Sequence, residues 1–395
     1  PTGRAAQTLQ SRAGCEASTI HRLLKCVPTK GSAQSELGSF DMDSVDDDPV
    51  FVSFLHNDTN PIECDALLID ETSMVDVPLA FSLLRALPRK AQLVLVGDAN
   101  QLPPVGPGPM FKEIIGTESL RDNVLHLTKI FRQASQSKIV GAAYSVLNGD
   151  LPELHVCGSP EEALDAFGSN MIDASWIQLR RSADIQEAVV DTICALKRRG
   201  FNVRERCQVL TPRRAGSLGA KNLNMLVEEE FNPRDDSMTV LQSSDYSYAV
   251  GDRIVQLVND YDNEVFNGDL GFVSKVILGD KNRGMKSCLE ITFSDGLKER
   301  QIVYQGSMLQ VIAPAWALTI HKAQGSEYDV VILPLATEHG RMLERRLFYT
   351  AITRARTLLL VIGPEDAAAT ATNTLRQGQL CAIEERISQL TEGRH

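Results

Sequence analysis

Two acidic side chains follow a short apolar segment in the first third of the chain. Ala66–Ile69 is entirely apolar and runs directly into Asp70 and Glu71. A carboxylate at the carboxyl edge of a parallel sheet can hold Mg²⁺, usually through water, and its neighbour can orient the water that attacks a γ-phosphate. Many strands also end in an acid that only caps the next helix, and Thr72 or Ser73 could serve as that cap here. The acidic pair therefore needs a second signal before it indicates phosphoryl chemistry.

A second polar loop follows the next apolar segment. Leu93–Val96 leads into Gly97–Gly106, which is too rich in glycine and proline to continue as a helix. Gln101 in this loop could contact a γ-phosphate or its attacking water. One such loop could be a plain connection, but two on adjacent parallel strands favour a nucleotide site. The spacing of strand, helix and strand predicts a βαβ unit, and the wholly apolar strands predict burial on both faces.

Length, charge and cysteine usage narrow the class of protein. The 395 residues suffice for two or three domains, and no apolar segment approaches the ~20 residues of a membrane-spanning helix. The eight cysteines are scattered without a C-x-x-C pair, which argues against a zinc site and a disulfide framework. The net charge of −11 argues against a basic coat for duplex DNA but allows a narrow basic groove for a single strand. Charge alone leaves the partner open.

The elements that must position these residues follow two patterns. Apolar strand segments at 208–210, 330–333 and 358–362 continue the α/β pattern, and residues 160–200 are predicted to be largely helical. Between about 236 and 309 the pattern changes to short strands separated by Asn-Gly and Asp-Gly turns. The sequence therefore predicts an α/β protein that carries a small antiparallel β insertion.

Seven segments resemble, in order, the sequence motifs of superfamily 1 helicases in their RecD-like branch. They are Pro1–Ala6 (motif Ia), Thr19–Leu24 (the next single-strand-binding motif), Asp70–Glu71 (motif II), Gly97–Pro104 (motif III), Leu127–Gln133 (motif IV), Trp316–Glu327 (motif V) and Phe348–Arg356 (motif VI). The linking segments Val209–Arg214 and Val265–Asp269 are similar to the same family. The match is specific because it extends over residues 1–356 in a single order.

The resemblance implies a fold and a function. The fold is two RecA-like α/β motor domains with parallel sheets, the first one incomplete, and an SH3-like β-barrel insertion. The first motor domain is expected at 1–125, the second at 126–235 and 310–395, and the insertion at 236–309. The implied function is a monomeric ATP-dependent DNA helicase that uses ATP and Mg²⁺ and moves 5′→3′ on single-stranded DNA. Its expected protein partners are repair or recombination proteins, and no association with a membrane is expected. The expected location is the cytoplasm, at the nucleoid, if the protein is bacterial, and an organelle or the nucleus if it is eukaryotic.

The resemblance also assigns roles to residues. Catalytic roles fall to Asp70, Glu71, Gln101, Arg132 and Arg354, with Asp70 holding Mg²⁺ through water and the two arginines acting as arginine fingers. Nucleotide contacts fall to Gln101, Arg132, Gly325, Glu327 and Arg354. DNA contacts fall to Thr2, Gly3, Arg4, Thr19, His21, Thr319, His321 and Lys322. Taken alone, His321 is better explained as a core imidazole bonded to a backbone carbonyl. Trp176 is predicted to be a core residue, and packing explains Trp316 equally well.

One element of that family has no counterpart in this sequence. No G-x-x-x-x-G-K-S/T string, whose backbone N–H groups cradle phosphates, occurs in the 395 residues. In the family this loop lies shortly before motif Ia, so truncation is expected rather than a true loss. The 395-residue chain alone is then expected to hydrolyse ATP hardly at all. The alternatives are an ATPase-inactive relic that binds single-stranded nucleic acid, and the helicase module of a larger relaxase or recombination enzyme.

Overall fold

The computed structural model describes residues 1–27, 53–127, 137–235, 237–260, 262–279, 285–294, 299–376 and 381–392. The chain divides into two compact units, Pro1–Leu127 with Gln377–His395, and Thr128–Arg376. No helix in the described ranges is both long and apolar enough to span a bilayer.

The first unit is built around a βαβ unit. Its elements up to Leu127 are the helices α1 Gly3–Ala13, α2 Ile20–Leu23, α3 Val77–Ala86 and α4 Met110–Gly116, and the strands β1 Cys26–Val27, β2 Ser53–Phe54, β3 Ala66–Ile69 and β4 Gln92–Leu95. β3 and β4 pair in parallel and α3 connects them, as predicted. α3 begins where the Asp76 side chain accepts the Leu79 N–H at 2.9 Å, with proline in its first turn.

The core of the first unit covers one face of the β3–β4 pair. Ile69 of β3 is buried there with Leu83 of α3. On the other face Leu68 is 49% exposed and Val94 is 45% exposed. The prediction that both faces of these strands are buried is therefore wrong for the described part of the unit. Apolar strands lose their surface to water only where an element packs on each face, and no described element covers Leu68 and Val94.

The second unit contains a six-stranded parallel sheet. Its helices are α5 Lys138–Asn148, α6 Pro160–Asn170, α7 Ser182–Arg198, α8 Val203–Arg206, α9 Ala220–Phe231, α10 Arg345–Ile352 and α11 Glu365–Asn373, and its parallel strands are β5 His155–Cys157, β6 Ala174–Ile177, β7 Cys207–Thr211, β15 Ala317–Thr319, β16 Tyr328–Pro334 and β17 Ala355–Ile362. The strand order is β15-β7-β16-β17-β6-β5. β6 lies inside the stretch 160–200, which was predicted to be largely helical. The sequence did not indicate this strand, because four buried residues are too few to show a strand period.

The insertion is a five-stranded antiparallel sheet, followed along the chain by β15. Its strands and the short pair before it are β8 Leu241–Gln242, β9 Ser247–Tyr248, β10 Arg253–Gln256, β11 Leu270–Ile277, β12 Cys288–Ser294, β13 Glu299–Gln305 and β14 Ile312–Pro314. The order is β13-β12-β11-β10-β14, so this sheet continues beyond the predicted end of the insertion at 309. Its own core holds Tyr248, Phe293 and Tyr304. The predicted Asp-Gly turn at 295–296 lies outside the described residues.

The last described helix, α12 Ile383–Glu392, belongs to the first unit. Ile383 packs against the core cluster that contains Met110 of α4. The predicted second motor domain, 126–235 with 310–395, therefore loses its last segment, 377–395, to the first unit. The amphipathic pattern of one helix shows that a face is buried but not which core buries it, so the sequence could not place this segment.

Candidate functional site

The acidic pair lies in the loop directly after β3. Asp70 Oδ1 accepts the Glu71 N–H at 2.8 Å, and Glu71 has φ 52° and ψ 40°, in the left-handed region. That region costs a non-glycine residue about 1–2 kcal/mol, and such strain collects at functional sites. Thr72 fixes the loop, because its N–H donates to Val96 O at 2.9 Å and its Oγ1 donates to Ile69 O at 3.0 Å. Neither acid caps α3, so the capping explanation for the pair does not hold.

The loops after β3 and β4 each hold a buried polar atom that has no partner among the described residues. Gln101 donates from Nε2 to Asp98 Oδ2 at 3.4 Å, while its Oε1 is buried and finds no hydrogen bond among the described residues. The Ser73 hydroxyl is buried and unpaired in the same sense. The two loops touch, since a Cβ on Gly97 would lie 3.1 Å from the backbone nitrogens of Thr72 and Ser73. Buried polar atoms normally have a partner, so this edge suits a bound polar ligand or water.

A metal ion at this edge would need ligands from outside the protein. Among the residues that the structure describes, no group of three or more histidine, cysteine, aspartate or glutamate side chains could hold an ion. Asp70 offers one carboxylate, with one oxygen already bonded to the Glu71 N–H. Mg²⁺ commonly uses one or two carboxylates with waters and phosphate oxygens, so this donor set fits Mg²⁺ that arrives with a nucleotide.

The two threonines predicted to contact DNA both cap helices. Thr2 Oγ1 accepts the Ala5 N–H at 3.2 Å at the start of α1. Thr19 Oγ1 accepts the Arg22 N–H at 3.3 Å at the start of α2, and Thr19 is only 2% exposed. The structure therefore removes the Thr19 side chain from the accessible surface. Gly3 is buried too, whereas Arg4 is partly exposed.

The predicted DNA-contacting histidine of the first unit lies beside an aromatic ring. The centroids of the His21 and Phe54 rings are 5.9 Å apart, with a tilt of 53°. Burial lowers the pKa of His21, the Pro1 amine lowers it further, and Asp76 acts in the opposite sense. A neutral imidazole can donate or accept a hydrogen bond but brings no positive charge to a phosphate.

Motif V begins at Trp316, runs through the edge strand β15 and continues into a tight turn. Thr319 Oγ1 accepts the Lys322 N–H at 3.4 Å, and the Lys322 side chain is exposed. Burial lowers the pKa of His321, so this histidine is also neutral near pH 7. Gly325 has φ 71°, a left-handed conformation that glycine adopts without strain. The turn therefore brings Thr319, His321 and Lys322 together at the carboxyl end of a parallel strand.

Motif VI is bonded directly to motif V. Arg354 is 4% exposed and donates from Nη1 to Ser326 O and from Nε to Thr350 O, both at 3.2 Å. Arg356 Nε lies 4.0 Å from Glu327 Oε2. The structure thus brings Gly325, Glu327 and Arg354 to one part of the second unit. Arg132, the other predicted arginine finger, lies outside the described residues.

Both tryptophans are packing residues. Trp176 is buried and donates from Nε1 to Gly363 O at 2.8 Å, which confirms the prediction of a core residue. Trp316 is 2% exposed and donates from Nε1 to Glu228 Oε2 at 2.8 Å. Sequence reasoning did not single out Glu228, since a glutamate on a helix is usually solvated.

Three family models match separate parts of the chain. A model described as an AAA domain matches residues 1–107. The ATP-dependent RecD-like DNA helicase SH3 domain matches residues 223–293, and the UvrD-like helicase C-terminal domain matches residues 314–362. The SH3 match overlaps the antiparallel sheet, and the C-terminal match covers β15, β16, α10 and β17.

Known proteins match across most of the chain. It is 33% identical over 393 residues to the ATP-dependent RecD2 DNA helicase of Deinococcus radiodurans, covering 98% of this chain and 45% of that protein. It is 27% identical to the RecBCD enzyme subunit RecD of Mycolicibacterium smegmatis, covering 92% and 61%. The chain therefore spans about half the length of the relatives it matches.

A solved structure gives the fold. A Pif1 helicase from Bacteroides, in complex with ADP-AlF3 and ssDNA, matches with a TM-score of 0.50 at 17% identity, covering 100% of this chain and 86% of that one. Parallel sheets with polar loops at their carboxyl ends, together with the inserted antiparallel sheet, define a helicase-type α/β fold. The chain belongs to the RecD-like family of superfamily 1 DNA helicases. The predicted family and fold class are confirmed.

Proposed function

We propose that this chain is part of an ATP-dependent motor that moves 5′→3′ along single-stranded DNA and separates strands in repair or recombination. The observation that carries the proposal is the contact between the strained Glu71 loop and the Gln101 loop at the carboxyl edge of β3 and β4. The 5′→3′ polarity and the setting in repair or recombination are part of the proposal and are supported by the resemblance to the family, and the bacterial relatives support work at the nucleoid.

Each side chain of the first unit would have a distinct task at MgATP. Asp70 would hold Mg²⁺ through water, and Glu71 would accept a proton from the attacking water. Gln101 Oε1 is an acceptor, so it suits a water O–H rather than a phosphate oxygen. The 395 residues contain no glycine-rich phosphate loop, so they fit only the magnesium and γ-phosphate end of the nucleotide. MgATP itself would supply the phosphoryl group whose hydrolysis drives movement.

The arginines of the second unit would serve charge stabilisation. Arg354, with Arg132, would donate to γ-phosphoryl oxygens as negative charge spreads over them. Its donation to the neutral Ser326 carbonyl is weaker than a bond to a phosphate oxygen, so a nucleotide could draw the guanidinium away. Gly325 and Glu327 lie in the same turn and would adjust with it.

Single-stranded DNA would be held through its phosphates. Lys322 and Arg4 would supply positive charge, while Thr319, His321, Thr2 and His21 would supply hydrogen bonds or shape. The backbone around Gly3, at the first turn of α1, would add donors. Thr19 would act only by capping α2, because its hydroxyl is buried.

DNA binding is testable on the 395-residue chain itself. We expect fluorescence anisotropy to show binding to a labelled oligo-dT strand in preference to a duplex. Lys322→Ala should weaken binding and reduce the slope of log K against log salt by about 0.7, the loss of one phosphate contact. The matched control is Lys197→Ala, which removes an exposed lysine of α7. Absence of single-strand binding, or equal effects of both variants, would overturn the proposal.

ATP turnover is to be measured on a longer protein in which this chain is joined to a phosphate-binding loop. Glu71→Gln should lower DNA-stimulated kcat by about 10²–10⁴-fold and leave single-strand affinity unchanged, because the carboxylate acts on water and not on DNA. Should the longer protein bind single strands without any ATP turnover, the ATPase-inactive alternative would replace the motor.

A further inference from the structure

An arginine of the insertion is buried against the parallel sheet. Arg253 opens β10 and is 0% exposed. Its Nη1 donates to Cys207 O at 3.1 Å and its Nη2 donates to Gln208 Oε1 at 3.0 Å, both in β7. The guanidinium carbon lies 5.4 Å from the centre of the Trp316 ring. The insertion is therefore joined to the sheet through a charged side chain.

The same contacts enclose the two residues that precede β15. Arg253 O accepts the Ala315 N–H at 3.0 Å. Gln208, whose Oε1 receives Arg253, donates from Nε2 to Ala315 O at 3.1 Å and to Trp316 O at 2.9 Å. Motif V begins with Trp316 itself and continues into β15, where Ala317 pairs with Val209 of β7. Arg253 thus holds the entry to motif V through both its main chain and its side chain.

The far side of Trp316 is held as well. Its indole N–H donates to Glu228 of α9, and its ring lies 4.9 Å from that of Phe231. Asp252, the neighbour of Arg253 in sequence, accepts two hydrogen bonds from Arg234, at 2.6 and 2.8 Å. We name Arg253, Gln208, Trp316 and Glu228 the Arg253 clamp.

A buried guanidinium is an expensive way to join two sheets. An apolar side chain of similar volume could fill the space without desolvating a charge. The arginine fixes the orientation of its neighbours, because its planar guanidinium can donate to Cys207 O and Gln208 Oε1 in only one arrangement. The clamp therefore specifies where the backbone of Ala315–Trp316 lies more than it adds to stability.

We propose that Arg253 is a positioning residue that fixes motif V relative to the insertion. The proposal rests on the proposed function, because the partner whose binding depends on Thr319–Lys322 is single-stranded DNA. Arg253 touches neither DNA nor nucleotide in this role. It acts through Gln208 and the Ala315–Trp316 backbone.

Hydrogen exchange tests the positioning without any ligand. Arg253→Met should speed amide exchange across Ala317–Glu327 by about tenfold or more, a change of about 1.4 kcal/mol, with exchange in α7 unchanged. The matched control is Tyr304→Phe, which removes a buried hydrogen bond to Gln256 inside the insertion and leaves the clamp intact. Unchanged exchange in motif V, or an equal rise in Tyr304→Phe, would overturn the proposal.

Strand affinity tests the link to function. Arg253→Met should weaken binding of oligo-dT by about tenfold and keep the salt slope of the wild type, because no phosphate contact is lost. Lys322→Ala should change the slope instead. If motif V exchange rises while affinity stays the same, the link is wrong. If the wild type binds no strand, the proposed function fails, and the exchange result still decides the positioning.

Two further variants guard against misfolding. Arg253→Lys keeps the charge but offers no planar pair of donors, so it should restore stability more than it restores motif V protection. Gln208→Met removes the bonds to Ala315 and Trp316 and the acceptor of Arg253 Nη2, while Arg253 Nη1 keeps its bond to Cys207 O. Gln208→Met should reproduce the faster motif V exchange of Arg253→Met. Wild-type protection of motif V in both Gln208→Met and Arg253→Met would overturn the proposal.

Discussion

Replacing Glu228 with glutamine should remove a pH dependence of stability from the second unit. Burial, followed by the neighbouring Asp252, raises the pKa of Glu228 from 4.5 to about 8, while Arg234 and the Trp316 N–H act against them. Between these two values the folded state holds a proton that the unfolded state has released. The free energy of unfolding therefore falls as pH rises through the window, and the loss is complete above about pH 8.

The size of the effect follows from the two pKa values of Glu228. At about 1.4 kcal/mol per pH unit, the interval from 4.5 to about 8 sets an upper limit of about 5 kcal/mol. Water and side chains rearrange around a buried carboxylate, so we expect about 2 kcal/mol. The pKa values of His21, His321 and His339 are all lowered by burial, so these residues add stability as pH rises toward 6.5 and nothing above it.

Urea unfolding followed by tryptophan emission reports this unit, because both tryptophans, Trp176 and Trp316, belong to it. Wild type and Glu228→Gln should differ little at about pH 5, near the lower end of the window, and by about 2 kcal/mol at about pH 8.5, with the variant more stable. Glu338→Gln is the matched control. Burial raises the pKa of Glu338, but hydrogen bonds from Ser182 and Ser217 outweigh it and hold that pKa below its usual value. This control should be less stable than the wild type at both pH values, and parallel wild-type and Glu228→Gln profiles would refute the reasoning.

Two glycine substitutions and one tryptophan substitution test the packing. Gly141→Ala in α5 should raise the free energy of unfolding by about 1 kcal/mol, because its Cβ would meet nothing within 4 Å. The urea midpoint should therefore rise, and an unchanged midpoint would contradict this. Gly97→Ala should speed hydrogen exchange in the first unit at a cost of about 1–3 kcal/mol, because its Cβ would lie 3.1 Å from Phe111, and normal exchange would show that the loop yields. Trp176→Phe should lower the free energy of unfolding by about 1–2 kcal/mol, and with it the urea midpoint, because Gly363 O loses its donor. A wild-type midpoint would show that another donor replaces the indole.

The elements that the sequence predicted well are those with a strong local signal. β3 was predicted at its observed ends, and the change to short antiparallel strands after about residue 236 was predicted because turn residues mark it. β6 was missed, and the segment that contains α12 was assigned to the second motor domain, for different reasons. A buried strand of four residues is too short to show a hydrophobic period. The sequence pattern of a helix does not indicate which unit the helix packs against.

The candidate site divides in the same way. Asp70, Glu71 and Gln101 were predicted to share one edge because the ends of adjacent parallel strands meet there, and the structure brings their two loops into contact. The burial of Thr19 was not foreseeable, since a hydroxyl before a helix suits a backbone cap and a phosphate equally. Arg253 was missed because a charged residue in a strand is ordinarily exposed, and only the three-dimensional structure shows what satisfies it.

These contacts give the second unit a continuous path between its two candidate ligand contacts. Arg354 donates to Ser326 O near the end of motif V, and Arg253 O accepts the Ala315 N–H just before its start. Should a nucleotide draw Arg354 away, the Ser326 carbonyl loses its donor while the entry at Ala315 stays clamped. Movement would then be confined to the turn that carries His321 and Lys322. With the start of motif V fixed and its end released, a change in the bound nucleotide would shift the residues that are predicted to contact DNA. If both ends of motif V were free, the same change would not reach those residues. Coupling of this kind requires an element whose arrangement both ligands change, and the exchange and affinity of the Arg253 variants test for it.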